Sequence, residues 1–320
     1  MDAPTRSCLS AIADEATRDE KAILKTALGA AASTARSVAG HWAFEAPSKA
    51  IDLWISTMFP EHRDDALIRI RKAIVARLAL AHFQAEDKLA PSVVALYPAF
   101  FDRLAQFLSH RPGRGYRPGF YCKDVRYALG LTIPCGSLQI DLRYRIGPKL
   151  VLRDIVHSGS PQADWDYVSS SVWGRWYNTH LDPREMGDFN PAGWTASFSR
   201  IADMLEINRQ VRGAAGVSWY YDPKVSEISP ELAYLRRNQI DNGAFSLWLG
   251  PGPEHTKNAV FASRIRQRLY EKGKYLPTAF LIAWPRRDLI RWARSAATAA
   301  EWRWQPGPGA KSAGSVVSPS

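Results

Sequence analysis

Residues 125–146 read VRYALGLTIPCGSLQIDLRYRI, and this stretch decides the fold class. Apolar and polar or small residues alternate from Val125 to Ile133 and again from Leu138 to Ile146. Pro134-Cys135-Gly136-Ser137 joins the two runs with residues typical of a turn. Alternation of period two predicts an antiparallel hairpin with one buried face, and we expect a third strand at Lys149–Val156 after the Gly147-Pro148 turn.

The chain before this hairpin has a helical pattern. Between Glu61 and Ala85, apolar residues recur at three- and four-residue spacing, as they do on one face of a helix. Helices are also predicted at Ala11–Ser37, Ser48–Met58 and Pro98–Ser109. The segment from His110 to Gly119 reads HRPGRGYRPG, which marks a boundary because it is rich in Gly and Pro.

After the hairpin, strand and helix patterns alternate. Strands are expected at Val217–Tyr221, Ala244–Leu249 and Thr278–Trp284. Helices are expected at Trp165–Tyr177 (mixed with loop), Trp194–Ile207, Ser229–Arg237, Lys257–Lys272 and Arg286–Trp304. We therefore predict an α+β protein: a helical N-terminal domain (1–110), then a domain (111–304) with a mixed, mostly antiparallel sheet flanked by helices. A disordered tail is predicted at 305–320, where Gly, Pro and Ser dominate.

Composition excludes several classes of protein. The chain has 320 residues, of which 46% are hydrophobic, and this is enough apolar surface to exclude disorder over the whole chain. No apolar run is long enough for a membrane span, and the first ten residues lack the core of a secretory signal. Three scattered cysteines do not make a disulfide framework. We expect a cytoplasmic protein without a bound metal.

Common catalytic motifs are absent from the sequence, and so candidate residues come from three segments. The first is 157–188, which combines two histidines with carboxylates and several tryptophans. Its candidate substrate-binding residues are His157, Trp173, Trp176 and His180. One alternative takes His157, His180 and Asp182 as metal ligands; another takes the aromatic residues as core and the histidines as ordinary hydrogen-bonding groups.

The second segment is Trp219-Tyr220-Tyr221-Asp222-Pro223, at the end of a predicted strand. A carboxylate beyond the end of a strand in an open sheet is well placed for a ligand cleft, although Asp-Pro also commonly begins a turn. The third is Lys257–Arg303, with eleven Lys and Arg against three Asp and Glu. There Arg264, Arg268 and Lys272 form one ridge of a helix, which could bind phosphate groups or be a solvated face.

The order of elements from Val125 to Trp284 resembles the GNAT acyltransferase fold. The resemblance implies that the strand before the helix holds the pantetheine arm of an acyl-CoA cosubstrate, here at Val217–Tyr221. The turn after that strand would bind the pyrophosphate, although Asp222–Ser226 contains none of the glycines of the family's turn. It further implies a tyrosine as general acid, and Tyr270 lies on the helix at the corresponding place in the order of elements.

These observations lead to three hypotheses. The first is an acyltransferase-like enzyme with an acyl-CoA or similar phosphate-bearing donor, a small-molecule or peptide acceptor and no tightly bound cofactor. Its catalytic residues would be Tyr270 and Asp222, and its donor-binding residues Trp219, Tyr221, Arg264 and Arg268. The second is a protein that binds or processes nucleic acid, drawn from a net charge of +11 and from Arg111, Arg114 and Arg117. The third is a non-catalytic interaction protein that uses the helix at Glu61–Ala85.

Overall fold

A computed structural model describes residues 1–14, 18–38, 44–58, 64–83, 85, 87–109, 118–158, 174–261 and 263–298. The predicted loop arginines (Arg111, Arg114, Arg117), Trp165, Trp173 and the tail lie outside these residues. Within them, the protein is α+β: helices flank one mixed, mostly antiparallel sheet of six strands. The predicted fold class is confirmed.

The N-terminal part is helical, as predicted. Its helices are α1 (Ala3–Asp14), α2 (Arg18–Val38), α3 (Ala46–Met58), α4 (Asp64–Ala81), α5 (Pro91–Val94) and α6 (Tyr97–Ser109). In α4, Ile70, Ile74 and Leu78 are fully buried. The apolar face of this helix is therefore part of the core and not an exposed interaction surface.

The remaining elements build the sheet and its cover. They are α7 (Pro118–Ala128), β1 (Thr132–Pro134), β2 (Gln139–Tyr144), α8 (Pro148–Ser158), β3 (Arg175–His180), α9 (Pro191–Ile207), β4 (Val211–Ser218), α10 (Pro223–Ile228), α11 (Tyr234–Ile240), β5 (Phe245–Pro251), α12 (Pro253–Phe261), α13 (Arg264–Glu271), β6 (Thr278–Pro285) and α14 (Arg286–Thr298). Short 3-10 turns lie at Pro183–Asp188, Trp219–Tyr221 and Pro230–Leu232. The strand order is β1-β2-β3-β4-β6-β5.

The predicted hairpin exists, but its first strand is much shorter than expected. β1 pairs with β2 around a turn in which Gly136 takes φ 112°, a value that favours glycine. Most of the first alternating run belongs to α7 and the turn after it. In this helix Tyr121, Val125 and Ala128 share one buried face, a spacing that fits the helical period.

Three other predicted elements are wrong. The described end of the predicted Trp165–Tyr177 helix, Arg175–Tyr177, belongs to the strand β3. Lys149–Val156 is helical, because Pro148 starts α8 and Val151 and Asp154 are its buried positions, while Leu152 and Val156 are exposed. Lys257–Lys272 is two helices instead of one, because Ser263 caps a new helix by accepting from the Arg266 amide. The spacing of Phe261, Ile265 and Leu269 predicts an inner face of one helix, but Phe261 and Ile265 are 89% and 61% exposed.

Other predictions hold with shifted bounds. Of the strand expected at Val217–Tyr221, Val217 and Ser218 belong to β4, which begins at Val211, whereas Trp219–Tyr221 is a 3-10 turn. The helix expected at Ser229–Arg237 is a 3-10 turn followed by α11. The strands β5 and β6 and the helix α9 lie where the sequence predicts them.

Candidate active site

The parallel strands β3 and β4 position the candidate active site. They are paired from Arg175 opposite Val211 to Thr179 opposite Gly216. Beyond that point each strand pairs only with its antiparallel neighbour: His180 lies opposite Gln139 of β2, and Val217 opposite Leu281 of β6. The two strands therefore part at their carboxyl ends, which is the edge of a sheet where ligands commonly bind.

His180, the last residue of β3, lies at this parting. Its Nδ1 atom is 3.7 Å from Oδ2 of Asp141 on β2, and the ring of Phe44 meets the imidazole edge to face. Its Nε2 atom is buried and has no hydrogen-bond partner in the part of the chain that the structure describes. Burial lowers the pKa of His180, although the charge of Asp141 opposes this shift. A neutral imidazole with one unoccupied nitrogen is a competent general base.

Asp141 is held in place by two further groups. The Arg126 guanidinium lies 3.0 Å from Asp141 Oδ1, and both side chains are at most 7% exposed. The Thr132 hydroxyl donates to the same oxygen, which leaves Oδ2 facing His180. The Asp141 carboxylate is therefore held beside the His180 imidazole by Arg126 of α7 and Thr132 of β1.

A second ionic cluster adjoins this pair. Arg184 donates to both Asp182 and Asp124, and Tyr127 donates its phenol to Asp182 at 3.2 Å. Lys123 lies 3.9 Å from Asp182, and its amine donates to the carbonyl of Leu181, the residue after His180. Burial lowers the pKa of Lys123. Arg184 and Lys123 lower the pKa of Asp182 despite its burial, so this carboxylate is charged.

Two cavities open beside this cluster. One of about 210 Å³ is lined by Asp182, Arg184 and Tyr127 together with residues of α6. The other, of about 340 Å³, is lined by Arg103, Arg200 and Gln139. Both polar atoms of the Gln139 amide are buried and lack a partner among the described residues. The strand neighbour of His180 thus offers an unused donor and an unused acceptor.

The Trp219–Tyr221 turn lies at the same edge of the sheet, directly after β4. Tyr221 is 1% exposed, and its hydroxyl lies near Gln239, Tyr220 and Thr179, the residue before His180. Burial raises the pKa of Tyr221 to about 12. This phenol is therefore a neutral, inward-facing support for the end of β3.

Asp222 follows the turn and caps α10 by accepting from the Lys224 amide at 3.0 Å. Its second oxygen is buried without a partner among the described residues, and so is the hydroxyl of Tyr275. Burial raises the pKa of Asp222, and the charge of Asp222 contributes to a raised pKa of Tyr275. Asp222 and Tyr275 thus offer a carboxyl and a phenol, each with a buried, unused polar atom among the described residues.

The buried cation of this region is Arg266, which the sequence analysis did not single out. Its guanidinium lies 4.7 Å from the ring centroid of Trp219 and donates to the Ser229 hydroxyl and the Ala259 carbonyl. The predicted donor-binding residues Arg264 and Arg268 flank it on α13, and both are exposed. Tyr270, on the same helix, is 41% exposed. Helical periodicity explains the exposure of Arg264 and Arg268, since Arg266 lies on the helix face opposite to both.

The structure does not bring His157 to His180. His157 stacks on Trp248 of β5, with ring centroids 3.6 Å apart, and β4 and β6 separate β5 from β3 in the sheet. Trp176 is fully buried in the core and does not line a cleft. Among the described residues, no group of three or more His, Cys, Asp or Glu side chains is arranged to hold a metal ion.

Comparison with known proteins gives only distant likenesses. No family model matches the sequence, and no curated protein matches it significantly. Among solved structures, an acyltransferase in complex with decanoyl-CoA and teicoplanin aligns at TM-score 0.39 and 14% identity, over 68% of this chain and 66% of that one. An acyltransferase in complex with decanoyl-CoA aligns at TM-score 0.41 and 14% identity, over 73% and 83%. Likeness at these values does not place the chain in a family. In addition, no described helix has the length and apolar character needed to cross a membrane.

Proposed function

We propose that this protein is an acyltransferase in which His180 acts as general base. The observation that carries the proposal is the Nε2 atom of His180, buried and without a partner in the described residues, at the point where β3 and β4 part. Asp141 faces the other ring nitrogen, which is the arrangement that orients a catalytic imidazole. Support also comes from the strand, helix, strand unit β3–α9–β4, which keeps the GNAT order although β3 lies later in the chain than the strand expected at Lys149–Val156.

The reaction transfers an acyl group from a thioester to an amine or hydroxyl of the acceptor. Nε2 of His180 accepts the acceptor's proton while the acceptor's nitrogen or oxygen forms a bond to the acyl carbon. The carbon–sulfur bond then breaks, and the leaving thiolate takes one proton. The products are the acylated acceptor and the free thiol, so the transfer is redox-neutral and needs no oxidant.

The donor would lie along the Trp219–Tyr221 turn, with its phosphates toward Arg264 and Arg268. Their exposed guanidinium groups lie on the helix that also carries Arg266 against Trp219. Tyr270 is our candidate for the acid that protonates the thiolate, because a phenol can return a proton that the ring of Phe cannot. In Tyr270→Phe, we expect slower turnover with unchanged donor binding.

Asp222 is the second predicted catalytic residue. With its raised pKa and an unused oxygen, it would hydrogen-bond the donor near the thioester, close to Tyr275. Asp222→Asn keeps the capping oxygen for the Lys224 amide, and so it tests this role with little change in the helix.

Calorimetry with acetyl-CoA tests donor binding. We expect heat of binding and a thermal shift, both weakened in the Arg264→Ala/Arg268→Ala variant. If millimolar acetyl-CoA gives no heat of binding and no thermal shift, acyl-CoA is excluded as the donor. The matched control is Lys257→Ala/Lys274→Ala, which removes two exposed charges from elements next to α13.

A further inference from the structure

A groove lined by arginines lies at the amino-terminal ends of β3 and β4. It encloses about 1160 Å³ between the start of β4, the start of β5 and the first turns of α14. We name it the arginine groove, after its six arginines: Arg209, Arg212, Arg286, Arg287, Arg291 and Arg294.

The arginine groove is separate from the candidate active site. Val211, which lines it, lies opposite Arg175 at the first residue of β3, whereas His180 is the last residue of that strand. Five residue steps along a strand span about 17 Å. A ligand in this groove therefore occupies a different edge of the sheet from a substrate at His180.

Positive charge in the groove is only partly neutralised. Asp288 is the one carboxylate among the described residues that line it, and it pairs with Arg291 at 2.7 Å and Arg287 at 3.5 Å. Arg294 pairs with Glu206 at 2.8 Å. Arg209 and Arg212 are exposed and form no ion pair within the described part of the chain. Several guanidinium groups in one groove repel each other unless a bound anion neutralises their charge.

The arrangement of the arginines fits several phosphates instead of one. On α14, Arg287, Arg291 and Arg294 are spaced four and three residues apart, which places them on one face over about 10 Å. Arg209 and Arg212 lie across the groove, before and at the start of β4. Guanidinium groups bind phosphate oxygens in pairs of parallel hydrogen bonds.

The interior of the groove favours a compact ligand over a nucleic-acid strand. Its lining includes the apolar residues Ile240, Phe245 and Ile290 between the arginines. Among the described residues that line it, Phe245 is the one aromatic residue and is 5% exposed, so none of these has a ring free to stack on successive bases. At about 1160 Å³ this concave, partly apolar groove is slightly larger than the pockets of about 300–1,000 Å³ that hold most small molecules, and it has room for an extended polyphosphate ligand.

We propose that the arginine groove binds a small organic polyphosphate of the nucleoside di- or triphosphate class. The phosphates lie between Arg209, Arg212 and the α14 arginines, and the organic part lies against the apolar lining. The site is independent of the proposed acyl transfer.

Calorimetry with ATP, inorganic tripolyphosphate and adenosine tests the site on the full chain. We expect ATP to bind, tripolyphosphate to bind more weakly, adenosine not to bind, and affinity to fall as salt is raised. Arg209→Glu/Arg212→Glu should weaken ATP binding at least tenfold. Lys257→Glu/Lys274→Glu changes the net charge equally at exposed sites outside the groove and should leave binding unchanged.

Three results would overturn the proposal: no ATP binding at millimolar concentration, equal losses in both double variants, or displacement of ATP by a DNA duplex at far lower concentration. The last result would instead assign the groove to a nucleic-acid backbone. Circular dichroism checks that the variants are folded, and Arg209→Ala/Arg212→Ala repeats the test with a milder change. Since His180→Ala should keep ATP binding, failure of this proposal is distinguishable from failure of the acyltransferase proposal.

Discussion

At the scale of single residues, the protonation of His180 makes a direct prediction. Burial lowers its pKa, so the imidazole is neutral at pH 7 and becomes charged only in more acidic solution. The acid limb of kcat/KM for acyl transfer should therefore fall below pH ~6.5, the ordinary histidine value. Rates measured across pH 5–9 check this. An acid limb clearly above that value would contradict a desolvated general base.

The pairing of Asp141 with Arg126 predicts a large effect on stability. Asp141→Asn removes the carboxylate from a buried guanidinium, and breaking such a pair costs about 3–5 kcal/mol. Urea unfolding measures the loss. Glu45→Gln is the control. Glu45 pairs with Lys49 at the surface, where the side chains are 58% and 70% exposed, and so this substitution should change stability by less than about 1 kcal/mol. Equal effects of the two substitutions would contradict the buried network.

The sequence identified His180 but not the residues that support it. His180 stood out because it lies in a segment rich in histidine, carboxylates and tryptophan. Asp141 and Arg126 were counted as polar members of an alternating pattern, although they are buried at 5% exposure each. Only the pairing of β2 with β3 brings Asp141 to His180, and that pairing has no signal in local sequence.

At the scale of elements, the contact of β3 with β4 depends on Gly216. A Cβ atom there would lie 2.3 Å from the Thr179 hydroxyl and 3.4 Å from the Tyr221 hydroxyl. We expect Gly216→Ala to destabilise the protein by about 1–3 kcal/mol and to lower activity, because overpacking displaces the end of β3. Thermal unfolding measures this. Gly119→Ala is the control, since nothing lies within 4 Å of its added Cβ, and its stability should not fall. Similar losses of stability in Gly216→Ala and Gly119→Ala would contradict the close approach of β3 and β4 at Gly216.

The break between α12 and α13 makes a second prediction about elements. Phe261 is 89% exposed, so Phe261→Ser should change stability by less than about 0.5 kcal/mol. Phe198→Ala, at a residue that is 1% exposed on α9, should cost about 3–5 kcal/mol. Denaturant unfolding of both variants measures the difference. A comparable loss of stability in Phe261→Ser would contradict two separate helices and support the single amphipathic helix that the sequence predicts.

Helices and strands were predicted correctly where the spacing of apolar residues fits either the helical period or the strand period, but not both. The apolar run of β6 and the helix α9 are examples. Prediction failed at Val125–Leu131 and Lys149–Val156, where apolar spacing fits both a strand and a helix. In α8, tertiary contact decides: Asp154 is buried and accepts from the Trp248 amide of β5 at 2.6 Å.

At the scale of the whole molecule, the helical part and the sheet share contacts. Asp87 accepts from Arg175 at 2.7 Å and from Tyr177 at 2.8 Å, both on β3, and one hydrophobic cluster contains Leu9 and Trp284. We therefore expect far-ultraviolet circular dichroism and tryptophan fluorescence to give one coincident unfolding transition. Asp87→Ala should lower the midpoint of both signals together. Two separated transitions would instead support independent folding of the predicted domains 1–110 and 111–304, a division that stays a prediction.

The central claim is that His180 removes the acceptor's proton during acyl transfer. The most direct measurement is release of free thiol from acetyl-CoA, followed in wild type and in His180→Ala with a panel of primary amines as acceptors. We expect amine-dependent release in the wild type and a loss of about 10²–10⁴-fold in the variant, with acetyl-CoA binding retained. Equal rates in the two proteins would contradict the claim.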